Sequence, residues 1–351
     1  MRQVCIYSVV ILLGVATPSS ALDKTLRIYC MDANGGGMTL IVTPLGESIL
    51  IDTGDAWPDH RYVERILHAC ADANVVEIDH LVTSHGHADH SGGIEELVNR
   101  LPVRRFYDNG NSGTRDAAYL EATQGKSLAM RPGDDIPLAQ DTMLDRMQLH
   151  CLASNLKVEG FDGDIHAPID GLASEGTSSG LNARGAIFLL TYGSFTYYAS
   201  ADLTFNVERH MVYPVNRIGH VDLYLVSHHG LGDSNNPLLL DAVQPTVALA
   251  SNGPGKGITP EIFERLMAVP SLEAIYQIAY NKSYGAEGNA PFDYIANRPG
   301  QTGNWIKATV YPDAGIFEME VSRRGVPIRA YAIKPLFVPK PDPVPGGGRQ
   351  R

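Results

Sequence analysis

The run TSHGHADHSGG at positions 83–93 constrains this chain more than any other stretch. It places His85, His87, Asp89 and His90 almost side by side, directly after the mostly apolar run 78–82. Side chains of these types converge only if a strand ends and the chain turns sharply, and Gly86, Gly92 and Gly93 give the backbone that freedom. In an extended segment, residues two apart face the same side. His85 and His87 are therefore placed to grip one ion, while Asp89 and His90, beyond the turn, face a second. Imidazole and carboxylate donors suit zinc and similar transition metals, and catalytic sites keep a position open to water. A polar loop with exposed histidines is the plainer reading. It leaves the preceding strand and the glycine punctuation without a reason.

Around this run the chain alternates short apolar segments with helical patterns. Strands are expected over 26–31 and 38–42, flanking a Gly-rich turn at 34–37, and over 48–51, which ends in Asp52-Thr53-Gly54. Val63, Ile66, Leu67 and Cys70 recur at helical spacing within 59–74, so His60 and His68 fall on the surface of a helix. A strand over 78–83, the ligand-bearing loop and a helix over 94–100 put a site at the strand's carboxyl end. The polar segment 109–131 reads as a loop with a helix lying over that site and shaping substrate choice. A hairpin of 186–192 and 195–200 turns at Gly193-Ser194 and leads to Asp202. A hydrophobic strand over 221–226 delivers Ser227-His228-His229-Gly230, and one over 246–250 delivers Ser251-Asn252. Helix 260–267, strand 274–279 and the pair 305–311 and 316–321 follow. His150, on a strand over 147–153, reads as a sheet residue, and His166 as a loop histidine.

The HxHxDH pattern resembles the signature of the metallo-β-lactamase superfamily. The segments IYCMDANGGGMTLIVTPLGESILIDTG, SHGHADHSGG, NARGAIFLLTYGSFTYYASADL and VDLYLVSHHGLGDSN, in that order, are similar to its ComEC-like branch of secreted hydrolases. The likeness covers about 26–251 and extends more loosely to 321. It implies an α/β (α+β) fold, a four-layer αββα sandwich in which two mixed sheets pack face to face with helices outside and the site at one edge. It also implies metal ligation by His85, His87, Asp89 and His90, a bridging carboxylate at Asp202, and Asp52 orienting a ligand histidine. Many relatives have glycine where Ala201 precedes that bridging residue. Either His228 or His229 closes the second metal position. His228, directly at the strand end, is the preferred ligand, which leaves His229 to donate a proton or line the pocket.

Relatives of the full zinc type carry a further histidine before the bridging carboxylate. Here 181–185 holds Asn182 and Arg184 instead, so the first ion has His85, His87 and Asp202, or also recruits His166. The implied cofactor is one or two zinc ions, with manganese as the other option. Asp89 is the expected residue for orienting the attacking water, and Asn182, Arg184 and Ser251-Asn252 for stabilising negative charge. The leading expectation is a secreted metal-dependent hydrolase of phosphoester or phosphodiester bonds. A lactonase or β-lactamase-type carbonyl hydrolase stands second, and a non-catalytic binding module with a structural metal third. An oxygen-dependent redox enzyme is disfavoured, because such sites usually have a carboxylate where His87 stands.

Both ends read as processing or linker sequence. Arg2, an apolar stretch over 9–15 and Ser19-Ser20-Ala21 describe a secretory signal over 1–21. Its apolar run is short for a span. Export to the periplasm or exterior follows, with no transmembrane span after cleavage. One hydrolase domain is expected over 22–334 and a Pro/Gly-rich tail over 335–351. The net charge of −11 argues against a protein that coats nucleic acid. The expected partner is therefore a small-molecule or phosphoester substrate. Arg104, Arg105, Arg115, Arg131 and Lys256 read mostly as solvated surface charges, although a local basic site among them is compatible with the net charge. An oxidising compartment permits one disulfide among Cys30, Cys70 and Cys151, but their apolar surroundings favour buried thiols.

Overall fold

The computed structural model describes residues 24–169 and 178–335. The expected signal over 1–21 and the tail beyond 335 lie outside them. Among the described residues there are two mixed sheets, each of nine strands. The first runs, edge to edge, Arg329–Ala332, Ile316–Val321, Ile306–Tyr311, Leu26–Cys30, Thr39–Val42, Ser48–Ile51, Ile78–Thr83, Val103–Asp108 and Leu128–Ala129. The second runs Ile295–Asn297, Ala274–Ala279, Val247–Ala250, Leu223–Leu225, Phe195–Ala199, Ile187–Tyr192, Met147–Ser154 and Asp135–Ile136. Lys157–Val158 adds to Met147–Ser154.

Burial patterns follow from which faces are covered. Val247–Ala250 and Ala274–Ala279 are buried at every position, as parallel strands with both faces covered must be. Ile306–Tyr311 and Ile316–Val321 alternate buried with half-buried residues, as antiparallel strands with one wet face do. The layer between the sheets is apolar: Ile28, Ile41 and Val310 from one meet Phe188, Tyr197 and Leu249 from the other. Helix Arg61–Ala73 covers the outer face of the first sheet with Tyr62, Val63, Ile66, Ala69, Cys70 and Ala73, spaced on one helical stripe. It stops at Asn74, whose left-handed backbone closes the helix C-terminus. Phe205–Val212, Pro237–Val243 and Pro260–Met267 cover the second sheet. The last of these is capped by Thr259, whose side chain accepts from Ile262 N–H, with Pro260 in the first turn. The result is the four-layer αββα sandwich.

Layering places a set of strand ends at one edge. Ser48–Ile51 runs into Asp52, Ile78–Thr83 into the histidine motif, Phe195–Ala199 towards Asp202, Leu223–Leu225 towards His228-His229 and Val247–Ala250 into Ser251. These are carboxyl ends, where open α/β sheets receive ligands. Cys30, Cys70 and Cys151 are buried free thiols, with no disulfide among the described residues, and burial raises the pKa of each. No helix among the described residues is long and apolar enough to cross a membrane.

Candidate metal centre

Two groups of donors meet at this edge. Asp89, His90, Asp202 and His229 form one, and His85, His87 and Asp202 the other; within each, the donor atoms lie within 4.8 Å of one another. Asp202 belongs to both. Its Oδ1 is 3.2 Å from both His90 Nε2 and His229 Nε2. Its Oδ2 faces His85 Nε2 at 3.9 Å. A carboxylate whose two oxygens point into two donor groups can bridge two cations.

The backbone explains the split. His87 is extended (φ −74°, ψ 145°) and precedes a short helix, Ala88–Ser91, that carries Asp89 and His90 round to the other side. Gly37 makes room for this arrangement. A Cβ there would stand 2.6 Å from His90 Nδ1 and 2.7 Å from Asp52 Oδ2, inside the hydrogen bond those two atoms share.

Tautomers follow from the outer partners. Asp52 Oδ2 receives His90 Nδ1–H at 2.7 Å, and Ser251 Oγ lies 3.0 Å from His229 Nδ1. The Asp52 carboxylate, which can only accept, places the His90 proton on Nδ1; where Ser251 Oγ accepts from His229 the same holds there, and the two Nε2 atoms face each other across 3.4 Å. Asp202 Oδ1, fully buried, has no hydrogen-bond partner. Lone pairs and an orphaned carboxylate oxygen converging in a buried space describe a cation site, so these residues fit a metal. The charges of these groups are strongly coupled. Burial alone would raise the Asp202 carboxyl, but His229 and His90 hold it well below the usual carboxylate range. Burial opposes charge on His90 too, yet Asp202 and Asp52 raise it well above the ordinary imidazole value. His85 is pushed well down, by burial first and then by His90. Removing the Asp52 carboxylate (Asp52→Ala) is expected to weaken metal binding about 10–100-fold, read by titration against a competing chelator.

The expectation that His228 enters the second group is corrected by the placement of His229 there. Extrapolating a strand's direction past Leu225 fails, because 227–230 is a tight turn in which His228 (φ 50°) and His229 (φ 57°) are both left-handed. His229 swings inward. His228 stays at the rim, its Nδ1 2.6 Å from Asp233 Oδ1 and its Nε2 3.0 Å from Asn182 Nδ2 and 3.6 Å from Asp202 Oδ2. Asn182 stands beside it at the rim, with its Oδ1 buried and unpartnered. Arg184 turns away to Asn155 and the Ser179 carbonyl, and Asn252 is spent on the Ala279 and Gly253 carbonyls. His166 lies against Asn206, outside both donor groups. His150 sits on its strand between Asp135 and Glu159. Ala201 is itself left-handed (φ 44°), the conformation that favours glycine at this place.

Two residues that hold the site carry little sequence signal. Glu208, buried on Phe205–Val212, accepts from the backbone N–H of Asn235 at 3.0 Å and of Asn236 at 2.7 Å. The Asn235 side chain in turn accepts from Ser227 N–H and donates to Ser227 C=O, both at 2.9 Å. This clamp fixes the start of the His228-His229 turn. No sequence cue marks Glu208, because its helix mixes polar and apolar residues and buries both.

Residues 33–147 match the family described as the metallo-beta-lactamase superfamily. Over that stretch the chain is of the metallo-β-lactamase superfamily. The chain is also 22% identical over 249 residues to the competence protein ComA of Neisseria gonorrhoeae, covering 70% of this chain and 30% of that protein. Recombination protein 2 of Haemophilus influenzae is 22% identical over 266 residues, 75% of this chain and 29% of that one. These agree with the ComEC-like resemblance, and the chain spans less than a third of either protein's length. Ribonuclease Z of a Bradyrhizobium species is 30% identical over 140 residues, 38% of this chain and 44% of that protein. The metallo-β-lactamase match covers His85, His87, Asp89 and His90 and stops before Asp202 and His229, so the second half of the centre rests on the geometry above.

Proposed function

We propose that this chain is an exported metal-dependent hydrolase of phosphoester bonds, phosphodiesters foremost, holding zinc or, in its place, manganese. The observation that carries the reading is the pair of donor groups joined by Asp202. Likeness to a ribonuclease and to competence proteins favours phosphodiesters over carbonyl substrates. The leader-like residues 1–21 favour export.

Bound metal ions would supply Lewis acidity and a water acidified towards neutral pH. His85, His87 and Asp202 would hold one ion; Asp89, His90, Asp202 and His229 the other. Asp52 and Ser251 keep the His90 and His229 Nε2 atoms turned inward. Asp89, only partly buried, faces the open side where a water would be oriented. His228, anchored by Asp233, presents Nε2 at the rim, where it accepts from Asn182 Nδ2; once the amide turns away and Nε2 takes a proton, it can pass that proton to the departing oxygen. The Asn182 amide beside it can donate to developing negative charge. On this assignment His228→Gln should lower kcat about a hundredfold while leaving metal content intact. A parallel loss of metal would make His228 a ligand instead.

The first test is metal analysis of the purified protein beside turnover of a generic phosphodiester, a phosphomonoester and a lactone. Diester turnover that is lost on chelation and restored by zinc supports the proposal. Lactone turnover alone moves the assignment to carbonyl hydrolysis. Absence of metal and of turnover, even with zinc or manganese added, leaves a binding module.

A further inference from the structure

Of the cations considered for substrate contact, Arg104 is paired with Glu77 and Asp79, and Arg115 with Asp108. Lys256 is different. Its Nζ lies 2.5 Å from Asp89 Oδ2, so it reaches a residue of the donor groups themselves. Among the described residues, this is the lysine or arginine ion pair made with a member of those groups. The side chain is 37% exposed, against 27% for Asp89. It therefore stands at the boundary between the buried donors and solvent.

The loop that carries it is rigidly tied. Gly253 N–H donates to Lys256 C=O at 2.9 Å, closing a turn. Asn281 Nδ2 donates to Gly257 C=O at 2.7 Å, and Ile258 N–H to His229 C=O at 2.9 Å, so the loop and the His229 turn are one unit. The lysine stem crosses Gly35, where a Cβ would stand 3.1 Å from both Lys256 Cβ and Cδ. Any larger residue at 35 would lift the stem. Only the end of the side chain is free to change partner.

Asp89 cannot give its full charge both to this ammonium and to a metal. Two divalent ions held by the donor groups would bring more positive charge than Asp89, Asp202 and Asp52 cancel, before any metal-bound hydroxide is counted. Lys256 then adds a cation that is not needed to neutralise a ligand and lies beside the open face. A compact ammonium in that position binds an anionic oxygen as a point charge. We infer that Lys256 is the substrate-anion anchor of this centre: it binds a non-bridging phosphoryl oxygen and selects anionic over neutral substrates. The inference rests on the phosphoester reading above and names a residue for its specificity.

The test compares metal-loaded wild-type protein with Lys256→Gln and Lys256→Arg, using inorganic phosphate as the probe in calorimetry. A phosphodiester and a neutral lactone serve as substrates. Lys256→Gln should weaken phosphate binding about tenfold or more and raise KM for the diester by a similar factor. The kcat should move less, metal content should stay unchanged, and Lys256→Arg should keep most of the phosphate affinity. Equal phosphate affinity in Lys256→Gln and wild type overturns the inference. So does a loss that only tracks loss of metal, since Lys256 would then be a positioning residue for Asp89. If phosphate binding depends on Lys256 but the wild type turns over no phosphoester, the anion anchor stands and the hydrolase proposal fails. If diester turnover is normal in both proteins, the reverse holds.

Discussion

Asparagine in place of Asp202 is expected to slow phosphoester hydrolysis by about a thousandfold, equivalent to about 4 kcal/mol of barrier, and to leave the protein unable to hold a full complement of metal. The reason is its double membership. One oxygen faces His90 and His229 at 3.2 Å, and the other faces His85 at 3.9 Å. A change at His87 should strip one donor group, whereas a change at Asp202 should weaken both. Metal stoichiometry by elemental analysis, beside turnover and far-UV circular dichroism, separates this outcome from misfolding. A folded Asp202→Asn protein with wild-type metal content and rate would remove the bridging carboxylate from the account.

The second large effect concerns stability against pH. Burial raises the Glu208 carboxyl to about 7, although backbone N–H groups of Asn236 and Asn235 and the Ser227 side chain pull the other way. In the unfolded chain the same group titrates near its ordinary value of 4.5. Between those values the folded protein keeps a proton that the unfolded chain has released. The stabilisation is therefore fully present below about pH 4.5 and is lost as pH rises through about 7. The loss amounts to about 3 kcal/mol. Urea unfolding of wild type and Glu208→Gln across pH 4.5 to 7.5 should show a difference between the two curves that changes by about this amount. A constant difference would mean that Glu208 titrates in the folded protein as it does in the unfolded chain.

The histidine motif was the most legible part of the site, because its chemistry is local. Strand Ile78–Thr83 and helix Ile94–Arg100 were expected at those bounds, and glycines mark the turn between them. His228 and His229 were harder. Two successive left-handed residues reverse the facing rule that holds along a strand, and nothing in Ser-His-His-Gly announces them. The assignment of Lys256 to Asp89 was also closed to a sequence reading, since the two are 167 positions apart and meet only when the sheets pack. The helix Phe205–Val212 is buried at all but its first residue, polar positions included, so no stripe of alternating character betrays it. Pro237–Val243 did have a cue: Asn236 accepts from Leu238 N–H as an N-cap, and Pro237 opens the first turn.

One consequence of the layout concerns the two sheets as mechanical parts. His85, His87, Asp89 and His90 hang from the first sheet, while Asp202 and His229 hang from the second. A metal held by both sets is a rivet through the seam of the sandwich. Its binding free energy is drawn on whenever the halves separate, in proportion to the logarithm of free metal over its dissociation constant. Metal supply would then govern how long the protein survives as well as how fast it works. In a metal-poor medium the seam would be the first place to open.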